Sequence, residues 1–147
     1  LVFDPDRSSA KKGESLLDTA RVLEAVGAEA VVAADTDSLA VRATVHNRGL
    51  NQRSEAQLGV AQGSVEALHQ LLSGRRAHLL LCNILAPVIE ALAPAFEDLV
   101  TPDGRALLSG LLVDQAPRLK EVLAELGWTV TAEESQGRWG LLEIRHH

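Results

Sequence analysis

The chain has 147 residues, enough for one domain with a real core and too few for two ordinary ones. Hydrophobic residues make up 46%, while aromatics fall to 3% and the formal charge is −6, a balance that argues against a nucleic-acid binder working by base stacking or phosphate contacts. The single cysteine, Cys82, excludes an intramolecular disulfide framework and fits a reducing cytoplasm, and no apolar run approaches the roughly 18–20 residues that cross a bilayer.

In chain order, Leu1-Val2-Phe3 is a short strand ending at Asp4. Pro5 to Gly13 has the composition of a loop, with two serines and the cations Arg7, Lys11 and Lys12. Glu14 to Val26 reads as a helix because Leu16, Leu17, Ala20, Leu23 and Val26 recur near helical spacing, and Gly27 stops it. Ala30 to Ala34 is wholly apolar, the pattern of a strand buried on both faces, and it ends at Asp35. Asp37 or Ser38 caps a helix that runs through Leu39, Val41 and Val45 to about Arg48, with Gly49 as its stop. Gln57 to Gln62 is a weaker strand. Ser64 then opens a short helix carrying Val65, Leu68, Leu71 and Leu72, ended at Ser73-Gly74.

His78 to Cys82 is the next apolar strand, and Ile84 to Val100 is mostly helical around Pro87 and Pro94. Thr101-Pro102-Asp103-Gly104 is a strong turn signal ahead of a strand over Arg105 to Ser109. Asp114 to Leu126 is an amphipathic helix stopped by Gly127. Trp128 to Glu133 and Trp139 to Arg145 follow one another with Gln136-Gly137 between them, which predicts an antiparallel hairpin. The alternation predicts an α/β fold, a doubly wound, mostly parallel sheet of seven strands with right-handed crossovers, helices on both faces and a C-terminal antiparallel hairpin.

In an open parallel sheet ligands bind outside the carboxyl ends of the strands, so the polar residues that close apolar runs are the candidates. Asp35 is the foremost: a carboxylate there can accept both hydroxyls of a ribose, against the plainer role of capping the next helix, which suits Asp37 better. Asn83 ends the fourth strand and offers a donor and an acceptor, either to a cofactor's amino-acid part or to a substrate nitrogen; a turn residue satisfying its own backbone is the plainer reading. Gly63 and Ser64 follow the third strand, where an adenine ring would lie, although Ser64 also suits a helix N-cap. Asp4 orients a cofactor loop or simply ends its strand. Cys82 reads as a small buried hydrophobe, Glu133 and Glu134 as solvent-facing, and His46, His69 and His78 lie too far apart to suggest a metal.

The stretch Asn83-Ile84-Leu85-Ala86-Pro87-Val88-Ile89, followed by Leu92-Ala93-Pro94, Asp103-Gly104-Arg105, Leu108-Ser109-Gly110-Leu111-Leu112 and Asp114-Gln115, resembles the bacterial PrmA family, which methylates the stalk-base protein of the large ribosomal subunit. Ala34-Asp35-Thr36-Asp37 with Ala40-Val41-Arg42-Ala43-Thr44, and the ending around Trp139, are similar to it as well, so the likeness covers about Ala28 to Arg145. It implies a Rossmann-like, class I methyltransferase fold. It also implies S-adenosylmethionine as methyl donor, N-methylation of a ribosomal protein in the cytoplasm, Asp35 at the ribose, and Asn83 near the transfer site. Residues 1–147 are then expected to be a single cofactor-binding domain, without the family's N-terminal substrate-recognition domain. The chain departs from the family at the loop after the first strand, where Pro5 to Ser15 has no Gly-x-Gly. Two alternatives stand beside this expectation: a catalytically inactive or truncated Rossmann-like domain with a structural or interaction role, and a nicotinamide-dinucleotide domain. Against the second count the absence of Gly-x-Gly-x-x-Gly from this sequence and the final antiparallel hairpin.

Overall fold

Val2–Phe3 forms strand β1. The computed structural model describes residues 2–3, 30–50, 54 and 58–147; Asp4, the predicted loop Pro5–Gly13 and the predicted helix Glu14–Val26 lie outside these. The chain divides into two compact units, Leu1–Gly74 and Arg75–His147.

In the first unit the all-apolar run becomes strand β2, Val31–Asp35, and the weaker run becomes β3, Leu58–Gln62. β2 pairs with β3 in parallel from Val31↔Leu58 to Asp35↔Gln62, and with β1 in parallel at Val2↔Ala33. Parallel neighbours need a crossover, and helix α1, Ser38–Leu50, supplies the one from β2 to β3. Its first turn is capped as expected, with the Leu39 N–H donating to Asp37 Oδ1 at 2.9 Å. Two expectations for α1 need correction. The helix runs past Gly49 to Leu50, and its buried face is Ala40 and Thr44, while Leu39 is 54% exposed and Val45 also faces outward. Small residues one turn apart let the helix backbone approach the sheet. Thr44 tolerates burial because its hydroxyl donates back to the Ala40 carbonyl at 2.8 Å. Arg48 ties the far end of α1 to β3 through the Leu58 carbonyl at 3.0 Å. Helix α2, Val65–Leu72, follows β3, buries Ala67, Leu68 and Leu72, and ends on Ser73 in the left-handed conformation.

The second unit begins with β4, Ala77–Asn83. The predicted helical stretch after it is broken into α3, Ala86–Leu92, a 3-10 turn over Ala93–Ala95, and α4, Phe96–Leu99. Pro87 sits in the first turn of α3, where its missing N–H costs nothing, and Pro94 falls in the 3-10 turn. Strand β5, Val100–Leu112, is longer than expected. The predicted Thr101–Gly104 turn is an excursion inside it: β4 pairs with β5 at Ala77↔Val100 and next at Leu79↔Arg105, so four residues stand opposite His78. A 3-10 turn over Val113–Gln115 leads into α5, Ala116–Glu125, shorter than the predicted Asp114–Leu126 helix. Strands β6, Trp128–Gln136, and β7, Trp139–His146, form the expected antiparallel hairpin. β7 pairs with β5, also antiparallel, so the order is β4-β5-β7-β6. Its core gathers Leu80, Ile89, Phe96, Leu108, Leu119, Leu123, Trp128, Leu142 and Ile144, with Trp128 edge-on to Phe96 at 6.4 Å.

Candidate functional site

The carboxyl ends of β2 and β3 are joined in the first unit. The Gly63 N–H donates to the Asp35 carbonyl at 3.0 Å, which continues the parallel ladder one residue past Gln62. Gln62 adds a longer contact from Nε2 to the Thr36 carbonyl at 3.4 Å. Asp35 is 0% exposed. Its Oδ1 accepts the Asp37 N–H at 2.8 Å, so one oxygen performs the local turn role that competes with ligand binding. Asp37 in turn caps α1, as its position suggested.

Gly63 has φ +137, and a Cβ there would fall 2.9 Å from both Ala67 Cβ and Glu66 Oε1. Glycine is therefore required where the chain leaves β3 for α2. The N-cap role weighed for Ser64 is not realised through its hydroxyl, which makes no cap hydrogen bond. The side chain that closes this helix start is Glu66, whose Oε1 accepts the Ser64 N–H at 3.0 Å. That bond, with a smaller one from its own backbone N–H, holds the Glu66 carboxyl below its usual 4.5. A carboxylate in a helix's first turn also meets the positive end of the helix dipole.

Asn83 closes β4 in the second unit, half-buried, opposite Ser109 of β5. The Ile84 N–H donates to the Ser109 carbonyl at 3.0 Å and fixes the chain as it leaves the strand. Sequence reasoning missed one residue here. Gly110 has φ +82, and a Cβ on it would fall 2.8 Å from Asn83 Oδ1. A lone glycine within a strand pattern was the available signal, but the strand was expected to end at Ser109. Cys82, next to Asn83, is buried as expected, and burial pushes its thiol up to about 12. Asp4 and the cations Arg7, Lys11 and Lys12 lie outside the described residues. Among the described residues no group of His, Cys, Asp and Glu could hold a metal, and no helix is long and apolar enough to cross a membrane.

A cavity of about 150 Å³ in the second unit is lined by residues including Leu111, Val113, Glu133, Glu134 and Leu141. Glu133 is paired with Lys120, and no residue proposed for the site lines this cavity. Glu133 and Glu134 are exposed, as expected.

Parallel strands whose carboxyl ends carry Asp35, Gly63 and Asn83, in a chain that ends on an antiparallel hairpin, have the architecture of Rossmann-like methyltransferase domains. The ribosomal protein L11 methylase of Lactobacillus delbrueckii subsp. bulgaricus superposes with a TM-score of 0.75 at 27% identity, over 92% of this chain and 67% of its own. A Streptococcus pneumoniae protein solved in complex with S-adenosyl-L-methionine superposes with a TM-score of 0.68 over 99% of this chain and 65% of its own; at 14% identity that likeness is one of fold.

The sequence profile of one family, Ribosomal protein L11 methyltransferase (PrmA), matches residues 13–147, and the chain belongs to that family. The Ribosomal protein L11 methyltransferase of Parasynechococcus marenigrum (strain WH8102) is 75% identical over 120 residues, which are 82% of this chain and 42% of that protein. Its counterpart from Synechococcus sp. (strain RCC307) is 56% identical over 133 residues, 90% of this chain and 43% of that protein. The chain thus spans about two-fifths of the length of these curated relatives.

Proposed function

We propose that residues 1–147 are a single cofactor-binding domain of an S-adenosylmethionine-dependent enzyme that N-methylates a ribosomal protein of the large subunit in the cytoplasm. The observation that carries this reading is the 75% identity to a Ribosomal protein L11 methyltransferase over 82% of the chain. The same likeness, and the superposition of 92% of the chain on the Lactobacillus methylase, support the reading of a doubly wound, seven-stranded sheet.

The residues present fit the cofactor. A carboxylate closing β2 suits a ribose, and Asp35 would accept its hydroxyls; because the side chain is 0% exposed, cofactor entry has to uncover it. Gly63 and Ser64, where the chain leaves β3 for α2, would meet the adenine. Asp4 would orient the loop after β1. Asn83 would hold the amino-acid end of the cofactor near the transfer site, with one acceptor and two donors on its carboxamide. S-adenosylmethionine, when bound, supplies an electrophilic methyl group. What this chain contributes is position: the acceptor amine must be unprotonated and held in line, which makes orientation the larger share of catalysis.

Calorimetric titration with S-adenosylhomocysteine, beside an Asp35→Ala variant, tests the reading. Wild type is expected to bind. The variant should bind roughly a hundredfold more weakly or worse, the loss expected for about two hydrogen bonds to a charged group. Binding of equal strength by both proteins would sink the ribose assignment, and no binding by either would sink the cofactor assignment. Competition with NAD separates this reading from a dinucleotide domain.

A further inference from the structure

Gly110 is the extra residue of a bulge in β5. The β5–β7 ladder pairs Ser109↔Leu141 and then Leu111↔Gly140, which leaves Gly110 without an opposite number. A bulge re-aims the chain locally, and here it turns the Gly110 backbone toward the end of β4. With φ +82, a Cβ on Gly110 would fall 2.8 Å from Asn83 Oδ1, 2.8 Å from the Ile84 carbonyl oxygen and 2.9 Å from the Ile84 nitrogen. All three atoms belong to the two residues that close β4 and begin the path to α3. The space a side chain would take is therefore occupied by the Asn83 carboxamide and the backbone beside it. Neighbouring bonds hold both sides in place: Asn83 stands in register with Ser109, and the Ile84 N–H is bonded to the Ser109 carbonyl at 3.0 Å.

We infer that Gly110 is a positioning residue, whose bare backbone forms the wall that sets the direction of the Asn83 carboxamide. The inference rests on the reading of Asn83 as a cofactor contact. A methyl group at position 110 cannot coexist with the present positions of Oδ1 and of the Ile84 backbone, so the end of β4 must shift away and carry the carboxamide with it. That shift misplaces the polar side chain that closes this strand. Gly74 provides the contrast: its φ is +80, and a Cβ there would meet nothing within 4 Å. Alanine at Gly74 carries the same backbone strain without touching a neighbour.

The test uses the full chain and two ligands, S-adenosylhomocysteine and 5′-methylthioadenosine, which keeps the nucleoside and thioether but lacks the amino-acid part. Gly110→Ala should raise the Kd for S-adenosylhomocysteine roughly tenfold, the size of one lost hydrogen bond, and leave that for methylthioadenosine within about twofold. Gly74→Ala should change neither. In an Asn83→Ala background, the further effect of Gly110→Ala on S-adenosylhomocysteine should fall below about twofold, because contacting residues are not additive. If Gly110→Ala does not fold, Gly110→Asn replaces it, since asparagine tolerates positive φ better while keeping a Cβ in the same place. Equal weakening of both ligands, the same loss in Gly74→Ala, or an undiminished effect in the Asn83→Ala background overturns the inference. An Asn83→Ala chain that binds S-adenosylhomocysteine as wild type does overturns the reading of Asn83 itself, and Gly110 then has nothing to position.

Discussion

Asp35, the last residue of β2, and Cys82, next to the last residue of β4, differ sharply in what their surroundings ask of them. Asp35 is a buried acceptor, and its Oδ1 already serves the Asp37 N–H. Asp35→Asn keeps the shape but exchanges an acceptor for a donor. It should therefore weaken S-adenosylhomocysteine binding at least tenfold while preserving the turn better than alanine does, which calorimetry and thermal melts on the same samples would resolve. Cys82 is buried without a charged role, and desolvation pushes its thiol from 9.0 up to about 12. The thiolate is the reactive form, so iodoacetamide at pH 8 should label the unfolded chain readily and the folded chain at least tenfold more slowly. The raised value also has a stability consequence. Its contribution is fully present below pH 9.0 and is lost as pH rises from there toward about 12, because the unfolded thiol ionises first.

At the scale of elements, local chemistry at a helix end and register within a strand carry separate predictions. Glu66 supports the start of α2 through the Ser64 N–H, and its folded value lies below 4.5. A depressed carboxylate contributes stability above its unfolded value and loses it as pH falls through 4.5 and below. Wild type and Glu66→Gln should therefore differ in urea midpoint at pH 7 and converge toward pH 3; a constant gap across that range would contradict the assignment. In β5, the Thr101–Gly104 excursion is packed tightly enough that a Cβ on Gly104 would fall 2.6 Å from Val100 Cγ1, 2.8 Å from Thr101 Oγ1 and 3.0 Å from the His78 carbonyl oxygen. Gly104→Ala should cost about 1–3 kcal/mol in chemical denaturation, the usual range for overpacking, with little effect on cofactor affinity.

For the molecule as a whole, binding and folding are linked. S-adenosylhomocysteine at a hundred times its Kd should add about 2.7 kcal/mol, a rise in melting temperature of roughly 5–10 °C for a chain of this size. In Asp35→Ala, with its Kd about a hundredfold higher, the same ligand concentration should add only about 0.4 kcal/mol or less, a rise of roughly 1–2 °C at most. The alternation of strand and helix was legible from residue order alone, because period and glycine stops are local properties: β2, α2, β4 and the β6–β7 hairpin fall within a few residues of their expected places. So were Asp35 and Asn83 as strand-closing polar residues, since an apolar run ending in a polar residue is visible without any neighbour. Tertiary structure alone decided the rest. α1 buries Ala40 and Thr44 in place of Leu39 and Val45 because the sheet admits a close backbone approach. Thr101–Gly104 is an irregular stretch within one strand because β4 supplies only His78 opposite it. Gly110 reaches Asn83 because a bulge brings two segments together that are 27 positions apart in the chain. Each of these depends on which distant backbone lies alongside, and local periodicity carries no record of that.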